Sequence, residues 1–256
     1  MFNAAFIGLG TMGGAMASNL AKADVSLAVY DTNPAMLDPF RSKKNCRIAS
    51  SVADAAKDAD YLFMILPDSL VVERVLFGPE GAAEALPANA LVIEMSTGSP
   101  QAFAPMRARL VEKNLRMIDV PVGRTPGHAV TGDLLVMVGA DQATLDEVRP
   151  MLTTFGSDIV HVGPPGDAIK LKIVNNYMSM VGMVLTAETL MLAKKAGLNR
   201  ETTVKVLQGT TAGRGQINVN FPKKVLAGDI TPDFSLTLGL KDISLAVEFA
   251  KSEGAP

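Results

Sequence analysis

Two sets of residues in this sequence have types and spacings that could do chemistry. The first is Gly8-Leu9-Gly10-Thr11-Met12-Gly13, a GxGxxG run that leaves the apolar segment Ala4–Ile7 and opens an amphipathic one. The first glycine of such a turn permits the tight reversal. The second lets backbone amides approach a pyrophosphate, and the third admits close packing of a helix whose N-terminus faces the anion. Alone, the run is compatible with a glycine-rich turn that binds nothing. Here Asp31 ends the next apolar segment, about twenty residues on, where a carboxylate accepts ribose hydroxyls and repels a 2′-phosphate. Strand, turn, helix and acid together point to a dinucleotide, NAD (NADH), as cofactor.

The second set is Lys172, Asn175, Asn176 and Ser179. Their i, i+3, i+4, i+7 spacing aligns them on one helix face. Leu171, Ile173, Val174, Tyr177, Met178, Met180 and Val181 fill the rest, so the narrow face is polar, the inverse of a surface helix. A solvated stripe is one explanation. Against it, adjacent asparagines are poor helix formers, and a solvated face is better filled by Glu, Lys or Gln. The stripe is therefore read as facing a cleft, with Met178, Met180, Met183 and Met191 as core filler.

Other candidates carry less. His128 and His161 are distant and have no spaced carboxylate partner, and Cys46 is the single cysteine, so neither a metal site nor an intrachain disulfide is expected. Gly209–Gly215 lacks the Lys-Ser/Thr of a phosphate loop and reads as a flexible interhelical loop. Asp119, at a strand end, reads as a turn or loop anchor.

The elements that must position these residues follow from periodicity. Ala4–Ile7, Ser26–Tyr30, Tyr61–Leu66, Leu91–Met95 and Met117–Val120 read as strands, with Leu134–Val138 and Ile159–Val162 after them. Met12–Ala23, Pro34–Arg41, Val52–Ala59, Leu70–Leu76, Pro100–Lys113 and Ala143–Phe155 read as helices. Such alternation predicts a mostly parallel, doubly wound α/β sheet of the Rossmann type. Gly163-Pro164-Pro165-Gly166 punctuates the chain, and beyond it only helices are expected: Asp167–Lys195 with Gly197 as C-cap, Arg200–Leu207, Ile217–Ala227 and Leu238–Ser252. The predicted domains are thus 1–163, dinucleotide-binding, and 164–256, all-α and carrying the substrate and catalytic residues. The chain has 256 residues, 48% of them apolar, and a net charge of −2. That length suits two domains at about 150 residues each. The charge offers no field to recruit nucleic acid or an anionic membrane, and a small molecule is the expected partner. The N-terminus lacks the basic region of a signal peptide. Tyr177–Leu192 carries Glu188 and is read as a buried helix instead of a membrane span, and the single cysteine fits a reducing, cytoplasmic location.

With these motifs in order, the chain resembles the β-hydroxyacid dehydrogenases (3-hydroxyisobutyrate dehydrogenase-like). The resemblance rests on Gly8–Leu20, Leu66-Pro67, Ser96-Thr97, Asp119-Val120-Pro121-Val122, Lys172–Asn176 and Lys241-Asp242, and covers nearly the whole chain. It implies an NAD-dependent oxidoreductase acting on CH–OH, with Lys172 catalytic and Asn176 on the substrate. It also implies Thr97 and Lys241 at the nicotinamide side, beside Gly8, Gly10, Thr11, Met12, Gly13, Asp31, Leu66 and Pro67 on the cofactor. An imine reductase would be expected to have replaced Lys172. Relatives run some tens of residues further, and the resemblance implies more helices after Pro256 and a homo-oligomer.

One departure bears on the substrate. After Asp-x-Pro-Val the family pattern is Ser-Gly-Gly, whereas this chain has Gly123-Arg124-Thr125. With Asn175 and Ser179, the change is similar to the 3-sulfolactaldehyde reductase group of the family, in which residues matching Arg124, Asn175 and Ser179 are implied to hold a sulfonate. The planar guanidinium fork suits an oxyanion. It would equally hold the carboxylate of a semialdehyde, or pair with a surface acid. The expected reaction is NADH-dependent reduction of 3-sulfolactaldehyde to 2,3-dihydroxypropane-1-sulfonate. The alternatives are a semialdehyde carboxylate (3-hydroxyacid or 4-hydroxybutyrate dehydrogenase) and a dinucleotide sensor without turnover.

Overall fold

The computed structural model describes residues 2–232 and 234–255, and the chain divides into two compact units, Met1–Asn176 and Tyr177–Pro256. In the first unit the strands are β1 (Phe2–Ile7), β2 (Val25–Tyr30), β3 (Cys46–Ile48), β4 (Tyr61–Met64), β5 (Leu91–Glu94), β6 (Arg116–Asp119), β7 (Val122–Gly123), β8 (Leu134–Gly139) and β9 (Gly156–Gly163). Between them run α1 (Thr11–Leu20), α2 (Val52–Ala56), α3 (Ser69–Phe77), α4 (Ala82–Ala85), α5 (Pro100–Glu112), α6 (Pro126–Thr131) and α7 (Gln142–Leu152). The long helix α8 (Asp167–Lys195) starts in this unit, and α9 (Arg200–Gly209), α10 (Thr211–Arg214) and α11 (Leu236–Ser252) belong to the second.

The alternation of residues builds the sheet. Ala4 and Phe6 of β1, Phe63 of β4 and Ile93 of β5 enter one apolar cluster, while Ala5, Ile7, Leu62, Met64 and Val92 enter another. Successive side chains on a strand point to opposite faces, so strands apolar at every position need cover on both sides, as in parallel sheets. The order is β3-β2-β1-β4-β5-β6, parallel throughout, followed by β8 antiparallel to β6 and β7, with β9 parallel to β8. The winding reverses between β1 and β4. At such a switch point the loops beyond the carboxyl ends of the strands part and leave a crevice.

Several local expectations are corrected. Pro34–Phe40 forms a 3-10 helix, because Pro39 inside it has no N–H to give to an α ladder. The strand β3 was not expected. Helix Ile217–Ala227 is replaced by two 3-10 turns, Gln216–Asn218 and Val225–Ala227, with Pro222 between them. Thr211–Arg214, read as loop, is a single helical turn. Tyr177–Leu192 is helical but not buried: no described residue of the second unit is, and Tyr177 is 72% exposed. These helices present apolar side chains that do not close over a core of their own. The C-cap at Gly197 is as expected, with φ +71° and the Leu198 amide on the Ala193 carbonyl at 3.0 Å.

Candidate active site

The glycine loop closes the carboxyl end of β1. Gly8 has φ +92°, and a Cβ there would run into the Ile65 carbonyl; a Cβ on Gly13 would strike the Gly8 carbonyl. Both glycines are therefore demanded by the turn and by the packing of α1 on it. Gly10 differs, because a Cβ there would meet nothing within 4 Å. What its missing side chain preserves is open space before the N-terminus of α1, which suits the close approach of a pyrophosphate to backbone.

Asp31 braces this loop. Its Oδ2 accepts the Leu9 amide at 2.7 Å and its Oδ1 the Asn33 amide at 2.8 Å. Each oxygen keeps a second lone pair for a ribose hydroxyl. The Leu66-Pro67 turn is held similarly, since the Leu66 amide donates to Ser96 Oγ at 2.8 Å and the Ser96 amide to Glu94 Oε1 at 2.9 Å. Glu94 is buried, and desolvation is the main reason its carboxyl is pushed up to about 7.

One cavity of about 950 Å³ runs along these strand ends, at the upper end of the range for small-molecule and cofactor sites. It is lined by Gly8, Gly10, Thr11, Met12, Gly13, Asp31, Leu66, Pro67 and Thr97, and also by Arg124 and Lys172, all of the first unit. Thus every cofactor candidate except Lys241 borders one space. Tyr30, Ile65, Val71, Arg74 and Val75 line it too and were missed. Val71, Arg74 and Val75 share a face of α3, which Asp68 caps directly after the Leu66-Pro67 turn; i, i+3, i+4 spacing after that cap was the available signal.

Helix α8 brings Lys172 to the cavity wall. The side chain is half-buried, and desolvation lowers the ammonium pKa from its ordinary value. Of the rest of the polar stripe, Asn176 is half-buried, Asn175 is exposed and donates to Asn176 Oδ1 at 3.2 Å, and neither borders the cavity. Ser179 lies further along α8, exposed, in the second unit. Lys241, also there, pairs with Asp242 at 2.8 Å.

Arg124 follows β7 with φ +75°, in the left-handed region that glycine takes freely and an arginine seldom does. Its Nη1 donates to the Asp133 carbonyl and Oδ1, both at 2.7 Å, and to Ser157 Oγ at 3.0 Å, with Asp158 at 3.7 Å from Nη2. The guanidinium therefore borders the cavity with carboxylate partners already engaged. Gly123 and Thr125 flank it without lining the cavity; Thr125 instead bonds His128 Nδ1 at 2.7 Å, while His161 Nε2 meets the Ala140 carbonyl at 2.7 Å.

These features define a dinucleotide-binding α/β unit followed by a helical one, with a lysine on the connecting helix lining the cofactor cavity. Comparison with known proteins makes the class specific. Residues 3–163 match the family described as the NAD binding domain of 6-phosphogluconate dehydrogenase, and residues 166–256 that described as the NAD-binding of NADP-dependent 3-hydroxyisobutyrate dehydrogenase. The chain is 40% identical over 252 residues to the 3-sulfolactaldehyde reductase of Escherichia coli (strain K12), covering 98% of this chain and 84% of that one. It is 35% identical to the 2-(hydroxymethyl)glutarate dehydrogenase of Eubacterium barkeri, covering 98% and 83%. A solved Mycobacterium tuberculosis 3-hydroxyisobutyrate dehydrogenase with L-serine aligns over 100% of this chain and 89% of its own at 28% identity, with a TM-score of 0.75. The chain belongs to the 3-hydroxyisobutyrate dehydrogenase-like (β-hydroxyacid dehydrogenase) family of NAD(P)-dependent oxidoreductases acting on CH–OH groups. Among the described residues, no helix is long and apolar enough to cross a membrane.

Proposed function

We propose that this chain is an NADH-dependent reductase of a small anionic aldehyde, converting 3-sulfolactaldehyde to 2,3-dihydroxypropane-1-sulfonate. The observation that carries the reading is the single cavity bordered by the glycine loop, Asp31, Thr97, Arg124 and Lys172. Residues 1–163 then form the NAD-binding domain and 164–256 the substrate and catalytic domain. Amides of Gly8–Gly13 would hold the pyrophosphate and Asp31 the ribose, with Leu66, Pro67 and Thr97 along the same cavity wall. When bound, the reduced nicotinamide supplies a hydride.

Lys172 supplies the proton. Its Nζ hydrogen-bonds the aldehyde oxygen and gives up a proton as that oxygen gains charge, so the carbonyl leaves as an alcohol. Half-burial helps by bringing the ammonium pKa down toward working pH. Arg124 takes the distal anion, exchanging Asp133 for the substrate's oxygens, with Gly123, Thr125, Asn175 and Asn176 as its neighbours in the first unit. The sulfonate is favoured by the arginine in place of glycine and by the 40% identical relative. The exposed apolar side chains of α8 and α11 support a homo-oligomer that covers them.

Arg124→Ala tests the substrate. Losing a hydrogen bond to a charged group costs about 1.5–3 kcal/mol, roughly ten- to 150-fold in kcat/KM. That loss is expected for 3-sulfolactaldehyde and not for propanal, which has no anion. Equal slowing of both would remove the basis for the anion site. A semialdehyde carboxylate turned over faster than the sulfonate by the parent enzyme would replace the substrate, and binding of NADH with no turnover of any aldehyde would make the chain a sensor.

A further inference from the structure

Asp119 ends β6 fully buried and does not border the cavity. Its carboxylate is spent on the start of α8: Oδ1 accepts the Gly166 amide at 2.6 Å and Oδ2 the Ile169 amide at 2.7 Å. These belong to the amides that a helix's first turn leaves without partners. The carboxylate acts as a cap, but from 47 and 50 residues earlier in the chain, so it fixes the helix to the sheet and not merely to its own preceding turn. Lys172 stands three residues beyond Ile169, on the same face one turn along. In the other direction Val120, Pro121 and β7 lead from Asp119 directly to Arg124.

The surroundings are shaped to hold this group. In the ladder Asp119 lies opposite Gly139, where a Cβ would overlap the carboxylate. Glu94 is its neighbour across β5 and β6, equally buried. Two acids side by side in an apolar interior are costly, since each buried polar group needs partners. An apolar side chain would pack the end of β6 without that cost, but could not hold the two amides.

We propose that Asp119 is a positioning residue for the reduction, its carboxylate setting the first turn of α8, and with it Lys172, against the strand end that carries Arg124. This rests on the reading of Lys172 as proton donor.

The test pairs two variants with two readouts. Asp119→Asn keeps the volume and one acceptor; Gly139→Ala leaves the carboxylate in place and crowds it. The first readout is the pH dependence of Lys172 acetylation by acetic anhydride, followed by peptide mass spectrometry with exposed Lys170 as reference. It reports the amine without reference to turnover. The second is kcat alongside dinucleotide Kd. A displaced first turn should return Lys172 toward solvent, so its titration should move up toward that of Lys170. kcat should fall on the order of 100-fold, the cost of a misplacement of about 1 Å, with dinucleotide Kd unchanged. If a folded Asp119→Asn leaves both the Lys172 titration and kcat where they were, the proposal is overturned. Should Asp119→Asn fail to fold, the same two outcomes in Gly139→Ala decide. Undiminished turnover by Lys172→Ala would overturn the catalytic reading instead, and with it the relevance of Asp119 to the reaction, even if the Lys172 titration still moved.

Discussion

With Lys172 as the proposed proton donor, its partial burial makes predictions of opposite sign for the two directions of reaction. In reduction the amine must be protonated, so the rate falls as pH rises through its pKa. Desolvation lowers that pKa, and the fall should begin at lower pH than a free lysine would give. In alcohol oxidation the neutral amine is needed, and the rate should rise through the same pH interval. Profiles of kcat in both directions check this; a reduction rate flat into the range of free lysine would mean another group gives the proton. Lys172→Ala should keep dinucleotide affinity, because the glycine loop is untouched, and lose about 100- to 10,000-fold in turnover, the usual contribution of a general acid.

Among the elements, the β1-loop-α1 segment is held by the end of β2. Asp31 braces the amides of Leu9 and Asn33 there, and in the proposed reading its carboxylate also faces the ribose and repels a 2′-phosphate. NADH should therefore be preferred to NADPH in kcat/KM. Asp31→Asn should narrow that preference and weaken NADH by about tenfold, within the range for hydrogen bonds to a charged group. Titration of both variants with both cofactors measures it, and an unchanged preference would show that the carboxylate does not face the ribose. Much of this segment was legible in the sequence, because strand alternation, glycine spacing and an acid at the strand end are local signals. Strand β3 was not, since Cys46-Arg47-Ile48 is too short to show a period. Nor were the partners of Arg124. Asp133, Ser157 and Asp158 reach it only because β7 pairs with β8 at Gly123 and Leu135, and β8 with β9 at Leu135 and Asp158, a register no local pattern carries. The same holds for Asp119, whose two amides lie in a helix that sequence reading treated as a separate domain.

For the whole molecule, the sheet buried on both faces forces a choice at the strand ends, where polar groups that serve the cavity must stand beside the core. Glu94 is the clearest case, buried next to Asp119 and raised to about 7 from an ordinary 4.5, chiefly by desolvation. Between those two values the native state holds a proton that the unfolded chain has released, so stability is greatest below about pH 4.5 with respect to this group. It is lost progressively as pH rises through about 7, by roughly 3 kcal/mol in all. Glu94→Gln keeps the volume and the acceptor for the Ser96 amide but cannot ionise. Urea denaturation from pH 5 to 8, followed by amide exchange in β5 and β6 so that only the first unit is read, should show the parent losing ground to Glu94→Gln as pH rises. The gap should level off above pH 7, while the other titrating groups cancel between the two proteins. Parallel stability curves would mean that Glu94 is already ionised in the native protein at low pH. The pair with Asp119 would then have to be satisfied by contacts other than the Ser96 amide.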